Sequence, residues 1–174
     1  MEVLNSELVF DGRILKVYKD TVVLDNGMTV TREVMRHHGA AAVVPITENG
    51  EVILVKQFRY AIGREMIEIP AGLLEPGEEP IQCAARETEE ETGFRPAELT
   101  HLFDSYASPG YCTECVSVFM AQQLVPSKQH LDPDEDVEIM IVPLDEAAEM
   151  IRRGEITDGK TIAALMTVLS QNLY

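Results

Sequence analysis

Glu87, Glu90 and Glu91 stand at i, i+3 and i+4 of a stretch with helical periodicity, which puts their carboxylates on one helix face. Like charges at that spacing repel one another. A solvated acidic face is the ordinary meaning of such a run. Two features set this one apart: Glu89 alone would point away, and the run ends its helix, where the macrodipole disfavours negative charge. A cluster placed against both effects is suited to binding cations. Carboxylate oxygens with water match Mg2+, with Mn2+ as the other suitable ion. Arg86 can pair with Glu90 at i, i+4 and hold it in place.

The elements that must position these groups follow from the pattern around them. Pro80 suits a first helical position and Gly93 a left-handed stop, with Ile81, Ala84, Ala85, Thr88 and Thr92 recurring at helical spacing between them. Upstream, residues 7–36 read as strands, with Asp25-Asn26-Gly27 predicting a tight I′ hairpin turn. Residues 39–47 and 51–58 are nearly continuously apolar and predict a second hairpin around Glu48-Asn49-Gly50, covered on both faces. Met66–Ile69 is a short strand ended by Pro70. Residues 99–106, 115–122 and 137–142 are further strands. A helix over 145–153 is stopped by Gly154, and Thr157 or Asp158 caps a last helix through Leu169. The fold class is α+β, with strands and helices in layers and no strict βαβ alternation. Residues 1–38 hold too few large apolar groups to offset their ordering entropy alone. They are expected to form a dimer-forming β appendage to a main domain spanning 39–174.

Composition narrows the function. The 174-residue chain is 45% hydrophobic and 25% charged, which excludes a disordered tail, a collagen and a disulfide scaffold. A formal net charge of −16 repels a phosphate backbone, so a nucleic-acid partner is not expected, and an anionic substrate needs cations placed locally. The start reads as no signal peptide and no stretch approaches a membrane span, so no membrane partner is expected. Three cysteines without an export signal point to reduced thiols and the cytoplasm. Cys112 and Cys115 form a CxxC, but a tetrahedral zinc site needs two more ligands. Gly154-x4-Gly159-Lys160-Thr161 satisfies the P-loop pattern, yet a helical acidic segment precedes it where a strand is required. Asp132, Asp134, Asp136 and Glu138 mimic the start of an EF-hand loop, but Val137 and Pro143 occupy its essential Gly and Glu positions.

Gly72, five residues, Glu78, seven residues, then Arg86-Glu87-Thr88-Glu89-Glu90-Glu91-Thr92-Gly93-Phe94 resembles the signature box of the Nudix hydrolases, G-x5-E-x7-R-E-U-x-E-E-x-G-U, where U is bulky and apolar. Every fixed position matches. The one departure is Thr88 at the first U. It lies on the inward stripe, so its methyl should pack and its hydroxyl bond back to a helix carbonyl. Gln57-Phe58-Arg59-Tyr60, Glu68-Ile69-Pro70-Ala71-Gly72, Pro109 sixteen residues after Gly93, residues 132–138 and residues 154–161 resemble the ADP-ribose pyrophosphatase and nucleoside diphosphate sugar hydrolase branch.

The resemblance implies an α/β/α sandwich with a mixed sheet. It also implies Mg2+ held by Glu87, Glu90, Glu91 and the main-chain carbonyl of Ala71, with Arg86 and Glu78 orienting these ligands. A Glu on a loop after the box serves as base in this branch. Here that is Glu135, with Asp134, Asp136 and Glu138 as competitors. Arg59 is the foremost substrate-phosphate residue, since a planar guanidinium grips phosphate oxygens in pairs. Arg32 and Arg36 are weaker candidates of the same kind, and Glu68 and Pro109 join them as substrate-binding residues. Tyr60, Tyr106 and Tyr111 could stack on a base, but core packing is the expected role of each. The implied reaction is metal-dependent hydrolysis of a nucleoside diphosphate linked to a sugar moiety, ADP-ribose first, giving AMP and ribose 5-phosphate. A nucleotide sugar such as GDP-mannose or UDP-glucose is the alternative substrate. A non-catalytic nucleotide-sensing or protein-binding Nudix module is the alternative class, against which the intact Arg86-Glu87 and Glu90-Glu91 pairs argue.

Overall fold

The computed structural model describes all residues except 132, 134, 135 and 172–174. Its contacts divide the chain into two units, Met1–Gly39 with Tyr106–Val116, and Ala40–Ser105 with Ser117–Tyr174.

The N-terminal unit is an antiparallel meander of β1 (Glu2–Asp11), β2 (Lys16–Val23) and β3 (Thr29–Arg36). β1 is exposed along its whole length, and its register on β2 slips between Val3 and Asn5 and between Leu8 and Phe10. The segment 106–116 belongs with this meander. The Met35 N–H donates to the Tyr111 carbonyl at 2.7 Å, and the Thr113 N–H to the Met35 carbonyl at 2.9 Å. The β2–β3 turn differs from the sequence reading. A I′ turn needs positive φ at both central residues, but only Gly27 adopts it (φ 83°). Asn26 instead turns its side-chain oxygen to accept the Met28 N–H at 3.1 Å, and the Leu24 N–H to Met28 carbonyl bond closes a longer loop.

The larger unit holds, save for Tyr106, Cys115 and Val116 at the ends of β8 and β9, the elements β4 (Ala40–Pro45), β5 (Glu51–Arg59), β6 (Arg64–Glu68), β7 (Ala71–Leu73), α1 (Pro80–Thr92), β8 (Phe94–Tyr106), β9 (Cys115–Pro126), β10 (Val137–Pro143), α2 (Leu144–Arg152) and α3 (Gly159–Gln171). Two sheets form, in the orders β7-β4-β9-β8 and β10-β5-β6. The expected hairpin of β4 with β5 is therefore corrected. The two strands part after the Ile46–Val52 bridge and enter different sheets. Both are too apolar for a sheet edge: all six residues of β4 are buried, as are Val52 to Val55 of β5, and each strand takes the centre of its own sheet. α1 packs over β4 and β7, while α2 lies against α3, β10 and β5. Cys83 and Ala84 of α1 pack with Ala41 and Val43 of β4 and Phe119 and Ala121 of β9 in one apolar cluster. Asp158 caps α3, accepting both the Thr161 N–H (3.0 Å) and its hydroxyl (2.6 Å).

Candidate active site

α1 is built to hold acids against a sheet. Pro80 opens it and Gly93 closes it in the left-handed conformation (φ 72°). Its buried stripe is Cys83, Ala84, Glu87, Thr88, Glu91 and Thr92, so two glutamates lie on the side that a helix ordinarily reserves for apolar groups. Thr88 is fully buried and its hydroxyl donates to the Ala84 carbonyl at 2.7 Å, as its place on that stripe predicts. Glu89 points elsewhere, accepting from Ser127 and pairing with Arg95.

The buried carboxylates meet the strand before the helix. Glu91 Oε2 accepts the Ala71 N–H at 3.2 Å. A Cβ on Gly72 would stand 1.8 Å from Glu87 Oε1, so that position has room only for glycine while Glu87 keeps its place. Arg86 ties the cluster together. Its Nε and Nη2 grip Glu78 Oε1 and Oε2, each at 2.9 Å, and its Nη1 reaches Glu87 Oε1 (2.5 Å) and Glu90 Oε2 (3.0 Å). The guanidinium bonded to Glu78 holds that carboxyl down at about 2, and Arg86 itself is raised in turn. Burial pushes the neighbouring Cys83 thiol up to about 12, which keeps it protonated and inert.

The exposed carbonyls at the end of α1 are taken up by the segment 127–130. Ser127 N–H donates to Gly93 O (2.7 Å), Gln129 Nε2 to Glu91 O (2.8 Å) and His130 N–H to Glu90 O (2.9 Å). This segment runs directly into the acidic stretch 132–138. Asp134 and Glu135 lie outside the described residues. Asp136 is exposed, and Glu138 is exposed on β10 with its carboxylate 3.8 Å from Lys56 Nζ.

A second ionic cluster sits on the same unit. Arg59, at the end of β5, donates from Nε and Nη2 to Glu68 Oε1 and Oε2 at 2.7 and 2.8 Å. Lys160 Nζ approaches Glu68 Oε2 at 2.5 Å and Asp158 Oδ2 at 3.0 Å. Glu68 is 3% exposed. Burial opposes its charge, but the Arg59 bonds and the Lys160 charge more than offset this and hold its carboxyl at about 2. Arg59 also feels the Glu91 carboxylate, which links the two clusters electrostatically. Lys160 was given no role by sequence reasoning, which met it inside the rejected P-loop pattern and within the family-like stretch 154–161. Nothing in the chain marks its partner, because Glu68 lies on a distant strand.

Arg32, Arg36 and Pro109 belong to the N-terminal unit. Arg32 donates to the Thr31 carbonyl. Arg36 bonds Ser6 and Asp20 and stacks over the Tyr18 ring, 3.8 Å from its centroid. Pro109 lies in the turn closed by the Tyr111 and Cys112 N–H groups on the Ser108 carbonyl. The tyrosine expectation is corrected: Tyr60, Tyr106 and Tyr111 are 92%, 62% and 60% exposed, because they stand in turns or at strand ends rather than on inward strand faces.

Residues 36–165 match the NUDIX domain. The chain belongs to the Nudix family. Residues 1–35 match the nucleoside diphosphate sugar hydrolase N-terminal domain. The chain is 44% identical to the ADP-ribose pyrophosphatase of Bacillus subtilis (strain 168), over 91% of this chain and 87% of that one. It is 39% identical to a methanol dehydrogenase activator of Bacillus methanolicus, over 93% and 89%. It is 35% identical to the GDP-mannose pyrophosphatase of Escherichia coli (strain K12), over 91% and 97%. Among solved structures, an ADP compounds hydrolase superposes with a TM-score of 0.87 at 25% identity, covering 98% of this chain and 92% of that one. The protein is thus a Nudix pyrophosphohydrolase with the α+β fold that its order of strands and helices predicts.

Nudix hydrolases generally act with a divalent metal. Among the described residues no three acid, His or Cys side chains converge as a ready cage. The residues present nevertheless fit such an ion. Glu87 and Glu91 are buried at 8% and 3% exposure beside a backbone stripped of its Cβ at Gly72, and Arg86 holds Glu87 and Glu90 together. Buried carboxylates need positive charge nearby. An all-oxygen donor set of this kind suits a hard cation.

Proposed function

We propose that this Nudix enzyme hydrolyses the pyrophosphate bond of a nucleoside diphosphate linked to a sugar moiety, with ADP-ribose the preferred substrate and AMP and ribose 5-phosphate the products. The observation that carries the reading is the burial of Glu87 and Glu91 against the Ala71-Gly72 backbone, braced by the Arg86–Glu78 pair. The ion is Mg2+, with Mn2+ able to replace it, held by Glu87, Glu90, Glu91 and the Ala71 carbonyl. When bound, it neutralises phosphate charge and acidifies a water.

The chain's own residues do the rest. Arg86 and Glu78 orient the box carboxylates. Arg59, paired with Glu68, grips the phosphates in a bidentate manner; Arg32, Arg36 and Pro109 are assigned separately as substrate-binding residues. Glu135 accepts the proton of the attacking water. The anchoring of residues 127–130 on the last carbonyls of α1 supports this role, since that segment brings the chain to the box glutamates shortly before Glu135. Removing a base costs roughly a hundredfold to ten-thousandfold in rate. Glu135→Gln should lower kcat by that order with substrate affinity unchanged, whereas Asp134→Asn and Asp136→Asn should cost far less. Single-turnover kinetics would give the role to whichever residue collapses the rate.

The chain works as a homodimer through residues before Arg36, and in the cytoplasm. The second point fits three cysteines of which none forms a disulfide. No helix of the described residues is long and apolar enough to cross a membrane. A panel of ADP-ribose, GDP-mannose and UDP-glucose, assayed by released phosphomonoester, tests the substrate. Fastest release from ADP-ribose is expected. GDP-mannose in first place would move the enzyme to its 35%-identical relative's specificity, and silence on the whole panel would favour a nucleotide-sensing module.

A further inference from the structure

Glu90 and Glu91 lie in the last turn of α1, which Gly93 ends in the left-handed conformation. Last turns fray, because their carbonyls have no partner within the helix. This one has no basic residue to balance the macrodipole, and its own glutamates add negative charge. Two side chains that share one ion must nevertheless be held in direction together. The turn is held from outside, by the segment that follows β9. Gln129 Nε2 donates to the Glu91 carbonyl at 2.8 Å, the His130 N–H to the Glu90 carbonyl at 2.9 Å and the Ser127 N–H to the Gly93 carbonyl at 2.7 Å. Ser127 Oγ adds a bond to Glu89 Oε1 at 2.5 Å. Gly93 permits this approach, since a Cβ there would stand 3.2 Å from the Gln129 nitrogen. Glu90 and Glu91 thus give their carbonyls to this segment, while their carboxylates meet Arg86 and the Ala71 N–H.

We infer that Ser127 and Gln129 are positioning residues: with the His130 main chain they clamp the last turn of α1 and so hold Glu90 and Glu91 in place for the divalent ion. This rests on the metal role of the box glutamates given above. The clamp acts through the helix backbone, and its coupling to the ion is reciprocal: whatever factor the clamp adds to ion affinity, the ion adds to the clamp. The field of the helix end works in the opposite direction. N–H groups withdrawn from the carbonyls leave that end more negative, which by itself draws a cation in, but solvent and salt screen this effect at an exposed terminus. Weaker ion binding on loosening therefore marks positioning, and tighter binding marks the field.

The test uses the full chain without substrate and has two readouts. Electron paramagnetic resonance of free Mn2+ gives ion affinity, counting only the binding that Glu91→Gln removes. Amide hydrogen exchange by NMR, with and without Mg2+, reads the His130 N–H. The double variant Ser127→Ala, Gln129→Leu should bind Mn2+ about tenfold more weakly, the size expected when two side-chain hydrogen bonds, one of them to a carboxylate, are lost and passed on in part. In wild type, Mg2+ should slow exchange at His130. A stability control separates clamping from general loosening: Val168→Ala, in the buried stripe of α3, should lower the thermal midpoint through a cavity and leave Mn2+ affinity unchanged. Equal or tighter Mn2+ binding by the double variant overturns the inference, as does His130 exchange indifferent to Mg2+. So does a Val168→Ala protein that loses as much Mn2+ affinity as the double variant. Wild type with no Glu91-dependent Mn2+ binding overturns the metal reading itself and this inference with it, whereas wild type that binds Mn2+ no better than the double variant overturns this inference alone.

Discussion

Glu68 shows how one buried side chain can be written into the sequence as a type but not as a partner. The Glu68-Ile69-Pro70-Ala71-Gly72 run flagged it, but its two cations come from β5 and α3, and no spacing rule connects those positions. Its carboxyl is held at about 2 against an ordinary 4.5. A folded-state value below the unfolded one contributes stability that is fully present above 4.5 and is lost as pH falls through the folded value. Glu68→Gln should therefore lower the thermal midpoint at neutral pH, and its gap to wild type should close as pH falls from 4.5 towards 2. Thermal unfolding by circular dichroism along that range checks this; a gap independent of pH would mean that packing rather than charge makes Glu68 stabilising. The box glutamates were legible because their spacing violates two helix rules at once. The exposed tyrosines were misjudged because aromatic content alone does not say which residues face outward, and Tyr60 proves to stand 92% exposed.

Among the elements, α1 was readable from end to end, with Pro80 and Gly93 at its bounds and Thr88 bonded back to Ala84. Its signals are local: caps, periodicity and a side-chain hydroxyl. The partnership of β4 and β5 was not local, and there the reading failed. Two apolar strands beside an Asn-Gly look like a hairpin, but each needs neighbours on both edges, and those neighbours come from later in the chain. The contact of β7 with α1 carries the sharpest consequence for the site. The three atoms that an added methyl at Gly72 would meet first all belong to the far end of the Glu87 side chain, so the fold can absorb it by moving that carboxylate. Gly72→Ala should keep the thermal midpoint within about 4 °C of wild type. Its kcat should fall about a hundredfold, since a shift near 1 Å at a reacting centre has that effect. Retained turnover would show that Glu87 need not lie against Gly72 to act.

At the scale of the whole molecule, β1 is exposed at every position, and Val3, Leu4, Leu8, Val9 and Phe10 are all over 40% exposed. A strand of this composition calls for cover. The full chain should sediment as a dimer and a chain starting at His37 as a monomer; a monomeric full-length protein, or a truncated one that still dimerises, would contradict the role given to residues before Arg36. The sequence argued for cover from a shortage of large apolar groups in residues 1–38, whereas β1 calls for it by exposing five of them; the association of residues 106–116 with the meander was not legible, since it is made by backbone bonds far apart in sequence. The central claim is that a divalent ion on the α1 glutamates drives cleavage of a nucleoside diphosphate sugar. It is tested most directly by chromatography of AMP released from ADP-ribose by wild type and by Glu91→Gln, each with Mg2+ and with a chelator. The account predicts AMP and ribose 5-phosphate in equal amounts from wild type with Mg2+ alone, and a loss of most of that rate in Glu91→Gln at an unchanged or slightly raised thermal midpoint. Equal rates from the two proteins at saturating Mg2+, or release that persists in chelator, would contradict it.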